Sequence, residues 1–154
     1  MHTPSSQFRD RTDAVRERQR LRRMAARRYT RRLVAISRPR CVILHGSVAR
    51  DQDTFNSDVD LIVVSEALPN DFPSRLDVLS AFNHSHVPIE SLGYTPREFE
   101  QMLTQRHVTA LDAMEFGVPL YGKRYFNRLR KEFETMKAHG LRRTDCTWTL
   151  RGTP

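Results

Sequence analysis

Cysteine is scarce in this 154-residue chain: Cys41 and Cys146 stand far apart, with no Cys-x-x-Cys spacing. That excludes a disulfide scaffold and argues against a structural metal. It fits reduced thiols in a cytoplasmic protein, with Cys41 packed at the start of a strand. No apolar run approaches membrane-spanning length, and no apolar stretch of the signal-peptide kind follows the N-terminal arginines. Internal repeats and low-complexity tracts are missing as well. At this length one domain with a real core is expected, and two ordinary ones are not. Of the six histidines, His84 and His86 could share a strand face, but no further ligand follows at finger-like spacing, so they read as loop or surface residues.

Acidic residues are rare where basic ones are dense. The net charge is +8, and the stretch through Arg38 carries twelve arginines against Asp10, Asp13 and Glu17, so the rest of the chain is close to neutral. From Asp13 to Ser37, the residues Leu21, Ala25, Tyr29, Leu33 and Ile36 fall near one helical face, with Met24 beside them and arginines over most of the remainder. Three readings stay open: an amphipathic helix packed on the domain, a docking surface for an acidic protein partner, or an electrostatic footprint for nucleic acid. No glycine-aromatic motif of an RNA-binding sheet accompanies the arginines. Residues up to about Arg11, polar and terminal, are expected to be disordered.

Chemistry concentrates between Val42 and Val64. Val42-Ile43-Leu44 reads as a buried strand, broken by Gly46-Ser47 where a helix can begin. Glycine lets a phosphate approach the backbone, and the serine offers a hydroxyl and an N–H at a helix start, where anions are favoured. Ten residues after the serine, Asp58-Val59-Asp60 opens a second apolar run, Leu61-Ile62-Val63-Val64. In a strand Asp58 and Asp60 share a face, opposite Val59, Leu61 and Val63. Two carboxylates so close resist ionising together unless a cation joins them, and hard oxygen donors of this kind suit Mg²⁺. His45, next to Gly46, is a strand-end residue that can reach a nucleotide.

Gly46-Ser47-Val48-Ala49-Arg50 followed by Ser57-Asp58-Val59-Asp60-Leu61-Ile62-Val63-Val64 resembles the signature of the DNA polymerase β-like nucleotidyltransferase superfamily. Among its members it is most similar to the small stand-alone minimal nucleotidyltransferases, whose antitoxin members are paired with HEPN-domain toxins and transfer AMP to them. The resemblance covers about Arg40 to Gly122. It implies an α/β (α+β) nucleotidyltransferase fold, with a mixed sheet flanked by helices, and a third carboxylate on a later strand. Glu90, in Val87 to Tyr94 ahead of a capped helix start at Thr95-Pro96-Arg97-Glu98, falls where that acid belongs. Glutamate replaces the more frequent aspartate there, and Asp51 stands where many relatives carry glycine. An acid at 51 either weakens polyphosphate binding or points into solvent.

The resemblance further implies ATP as substrate, two Mg²⁺ ions held by Asp58, Asp60 and Glu90, and triphosphate contacts from Gly46, Ser47 and Arg50. The expected acceptor is a hydroxyl on a protein such as a HEPN toxin. Transfer to a small molecule, or binding of a partner or RNA without chemistry, are the alternatives. The expected organisation is a basic segment (1–38), the nucleotidyltransferase domain (39–122) and a C-terminal helix and tail (123–154). Helices are expected over Asp71 to Asn83 (with Leu76, Val78, Leu79 and Phe82 as its apolar residues), Arg97 to Arg106, Val108 to Phe116 and Lys123 to His139. An extended segment should run from Gly117 to Gly122, and the tail from Leu141 to Pro154 is left unassigned.

Overall fold

A computed structural model describes residues 5–151 of the chain. A long helix α1 (Ser5–Ser37) leads into strand β1 (Cys41–His45) and a single-turn helix α2 (Gly46–Ala49), and a loop then carries the chain to β2 (Val59–Val64). Helix α3 (Phe72–Ser80) connects β2 to β3 (Ile89–Tyr94). Then come α4 (Pro96–Thr104), α5 (Val108–Phe116), β4 (Val118–Tyr121), α6 (Lys123–Ala138) and a small hairpin of β5 (Leu141–Arg143) and β6 (Trp148–Leu150). The main sheet has the order β3-β2-β1-β4. Its two inner strands are antiparallel to each other, β2 and β3 run parallel, and β4 is antiparallel to β1.

Because both faces of the sheet are covered, its inner strands are continuously apolar rather than alternating. Val42, Leu44, Val59, Leu61 and Val63 pack under Ala26, Tyr29 and Leu33 of α1 and Leu79 of α3. Cys41, Ile43, Ile62 and Val64 pack against Phe99, Leu103, Leu111, Met114, Phe126, Leu129 and Phe133 from α4, α5 and α6. Helix α4 starts at a full capping box: the Glu98 N–H donates to the Thr95 hydroxyl and the Thr95 N–H to the Glu98 carboxylate.

Several expectations are corrected here. The chain is helical from Ser5, so residues 5–11 are not disordered, while residues 1–4 lie outside the described ones. Extending an anchored helix needs no new nucleation, and Gln7, Arg9 and Arg11 in this stretch are good helix formers. The covered face of α1 is Arg22, Ala26, Tyr29 and Leu33, a 3.6-residue repeat that includes an arginine, whereas Leu21 and Ile36 are 47% and 75% exposed. In α3, Leu76 and Val78 face outward and Arg75 is buried instead, its guanidinium donating to Glu98 and to the carbonyls of Pro69 and Gly93. Helix α3 stops at Ser80, and Phe82 turns back to meet Tyr29 edge-on at 6.3 Å between centroids.

The tail is folded through Arg151, with Leu141 buried and Trp148 set edge-on against Phe133 at 5.4 Å. Truncating Leu141 to alanine should therefore cost about 2–4 kcal/mol in urea unfolding. A loss near zero would detach the hairpin from the core.

Candidate active site where the first strand ends and the second begins

Strand pairing sets out the site. In the antiparallel β1–β2 ladder His45 lies opposite Asp60, and in the parallel β2–β3 ladder Asp60 lies beside Glu90. The three therefore form one row across three strands, on the face that carries Ile43 and Ile62 toward α5. Asp58 sits one residue outside β2 on the same side and is exposed, as is Glu90. Asp60 is half-buried, and its carboxyl is pushed up to about 6, first by burial and then by the negative charge of Glu90 and of Asp58.

Gly46 closes the row from above. Its φ is +69°, a left-handed conformation that favours glycine, and a Cβ at this position would collide with the Asp60 carboxylate. The Gly-Ser turn and the carboxylate thus approach each other closely only because residue 46 has no side chain. His45 caps the start of α2 in extended conformation. Burial lowers its pKa to about 4, against the upward pull of Asp112 on α5, so it is neutral at physiological pH; its buried Nε2 makes no hydrogen bond to the protein.

The site offers divalent metal a set of carboxylate oxygens, one of them raised in pKa by the crowding that a cation relieves, which is the donor chemistry Mg²⁺ takes. Among the described residues, no three acidic, histidine or cysteine side chains are already gathered into a ligand cluster. Asp60 and Glu90 are the pair that the backbone itself aligns.

Arg50 follows the last residue of α2 and lays its guanidinium over the Phe116 ring, 4.0 Å from the centroid. Arg143 of the hairpin approaches the same ring at 5.0 Å and pairs with Asp112 at 3.5 Å, while the Trp148 Nε1 donates to Asp112 at 2.8 Å. The hairpin thus brings a second arginine to the flank where Arg50 lies. Sequence reasoning missed it, since only two short β segments deliver it.

The arginines of α1 hold a second surprise. Arg22 is buried, and its guanidinium grips the Asp53 carboxylate and donates to the carbonyls of Thr54 at 2.7 Å and Phe55 at 2.9 Å. Arg18 donates to the Asp53 carbonyl, Gln19 to its carboxylate, and Arg23 to the Val48 carbonyl and the Asp51 carboxylate. These ties span the loop between Gly46-Ser47 and Asp58. Among them Asp51, whose φ is +54°, pairs with Arg23 at 2.8 Å rather than only facing solvent. Burial alone would raise the Asp53 carboxyl, but hydrogen bonds from Arg22 and Gln19 outweigh it and hold it below the usual range.

Two expectations follow. Arg22→Ala leaves the buried Asp53 carboxylate with only Gln19 and the more distant Arg18 and should cost about 3 kcal/mol, the low end for a broken buried pair, whereas adding Asp53→Ala should restore much of that loss; strictly additive losses would mean the two groups do not interact. The contribution of this pair is present above the unfolded carboxylate pKa and is lost as pH falls through the depressed folded value. Asp60 runs the other way. Its folded pKa is raised, so its favourable contribution is complete below the unfolded value and lost as pH rises through about 6. Asp60→Asn should therefore raise Tm at pH 7 to 8 in chelator, with the gain fading toward pH 4; a lower Tm at neutral pH would contradict the crowding of the three acids.

A family model described as "Nucleotidyltransferase domain" matches residues 24–115, more than half of the 154-residue chain. By sequence, no curated protein matches significantly. Among solved structures, the chain is similar to a toxin-antitoxin crystallised with AMP-PNP, at 16% identity over 73% of this chain and 87% of that one, with a TM-score of 0.49. It is also similar to a mutant of the MntA-HpeT toxin-antitoxin, at 15% identity over 70% of this chain and 83% of that one, with a TM-score of 0.47. The family match starts inside α1, just past the arginines that grip the loop, and ends on α5 beside Phe116. It thus takes in Gly46-Ser47, all three acids and the strands that align them, and the chain belongs to the nucleotidyltransferase domain family.

Proposed function

We propose that the chain transfers AMP from ATP to a hydroxyl of a protein partner, with Mg²⁺, in the role of an antitoxin acting on a HEPN-domain toxin. The observation that carries the chemistry is the alignment of Asp60 with Glu90 across β2 and β3, with Asp58 one residue before the strand and Gly46 directly against Asp60. The antitoxin role rests on the Gly-Ser, ten-residue, Asp-x-Asp spacing of the motif.

In this reading the acceptor oxygen attacks the α-phosphorus while the bond to the bridging oxygen of the β-phosphate breaks, and pyrophosphate leaves. Gly46 lets the β- and γ-phosphates reach the backbone, and the Ser47 N–H and hydroxyl donate to them. Asp58, Asp60 and Glu90 would hold Mg²⁺, which supplies charge neutralisation at the phosphoryl oxygens. Glu90, the exposed member on the outer strand, takes the proton of the acceptor hydroxyl. Arg50 adds positive charge beside the leaving group from its seat on Phe116. Positioning and electrostatics supply most of the rate in phosphoryl transfer, so one lost carboxylate should cost several kcal/mol of barrier.

The test is to purify the protein from its host with what stays bound, then add Mg²⁺ and ATP labelled at the α-phosphate. Label should appear on a co-purifying protein and vanish in Asp58→Asn and Asp60→Asn with the fold intact by circular dichroism. Parental rates in either variant would remove this site from the reaction, and label found only on small molecules would overturn the protein acceptor.

A further inference from the structure

Six of the α1 arginines, between Arg18 and Arg31, show a contrast. Arg18, Arg20, Arg22 and Arg23 all have carboxylate partners, in Asp53, Glu17, Asp53 and Asp51 respectively. One turn further on, Arg27 and Arg31 are exposed, and among the described residues neither has an ion pair. They are four residues apart, so they project side by side from the helix.

What lies beside them is apolar. Arg27, Thr30, Arg31, Val34 and Ala35 form one wall of a groove of about 530 Å³ whose other wall is β4. Among the described residues that strand ends the sheet with β1 as its only partner, and it leaves Val118 and Tyr121 37% and 41% exposed. An outer strand edge next to uncovered apolar side chains is a surface that proteins ordinarily blunt or cover. Here neither α6 nor the hairpin lines the groove.

We propose that this groove docks an acidic amphipathic segment of a partner protein, its apolar side chains seated on Val34, Val118 and Leu120 and two carboxylates one turn apart meeting Arg27 and Arg31. The inference deepens the functional reading, and it rests on there being a protein partner. Charge selects the occupant. A second copy of this chain would set Arg27 and Arg31 against their own counterparts in a molecule of net charge +8. A nucleic acid strand would gain two phosphate contacts while covering a mostly apolar surface, the reverse of the polar, strongly basic interface such strands select. An acidic protein helix satisfies both the cations and the apolar wall. Val118 pairs with Leu44, one residue before His45, so a partner seated here lies along the strand that leads to Gly46.

The probe is a synthetic helical peptide with a Leu/Phe face flanked by glutamates one turn apart, titrated into the full chain by fluorescence anisotropy. Saturable binding is expected, weakened about tenfold or more by the double substitution Arg27→Glu, Arg31→Glu, and unchanged by Arg28→Glu, whose side chain does not line the groove. A peptide with glutamine in place of glutamate should bind as weakly as the double variant does. Failure to saturate at millimolar peptide overturns the proposal. So does equal weakening by Arg28→Glu, tighter binding of a single-stranded RNA of equal charge through the same two arginines, or a dimer that the double variant dissolves. Binding should persist in Asp58→Asn. Should transfer prove absent while this docking remains, the catalytic reading falls alone. A double variant that still labels its co-purifying protein at the parental rate removes the groove and leaves the chemistry standing.

Discussion

The arrangement of the candidate site depends on one buried ion pair. Arg22 reaches from α1 into the loop between α2 and β2 and satisfies the Asp53 carboxylate and two consecutive carbonyls at once. A loop of this length has little regular structure of its own, and its backbone groups need partners wherever water is excluded. The guanidinium supplies them in a fixed fork, which a lysine could not reproduce. With Arg18, Gln19 and Arg23 it converts a connection between two strands into a rigid part of the wall, and so fixes where Ser47 and Asp58 stand relative to each other.

A second constraint acts at the sheet itself. Gly46 and Asp60 approach so closely that each restricts the other, while the negative charges of Glu90 and Asp58 act on the same carboxylate. The surrounding packing tolerates this crowding because the strands beneath are buried on both faces. At Asp60 the local geometry therefore works against stability at neutral pH, a perturbation of the kind that marks candidate functional positions.

Much of this was legible in the chain. The continuous apolar runs at Val42 to Leu44 and Leu61 to Val64 mark inner strands, the Thr95 to Glu98 box fixes the start of α4, and Val108 to Phe116 is a helix with the bounds its pattern suggests. The row of His45, Asp60 and Glu90 was only half visible, because alternation within β2 is local but register between strands is not. The α1 arginines were the largest miss. Counted as charges they suggest a surface, yet Arg22 pairs with a residue 31 positions away, and no local spacing announces that. Ranking by hydrophobicity likewise favoured Leu21 and Ile36 over Arg22 and Ala26 for the covered face. The final hairpin escaped because its strands, Leu-Arg-Arg and Trp-Thr-Leu, are three residues each, too short for any periodicity to show.

That last tryptophan is the only one in the chain. Its indole N–H is tied to Asp112, the same carboxylate that acts on His45, the residue before Gly46. The protein thus carries a single indole, hydrogen-bonded to a carboxylate whose charge is felt at the edge of its own candidate site. Emission wavelength and quenching at Trp148 therefore report, with no label attached, on the seating of the hairpin against Asp112 and Phe133.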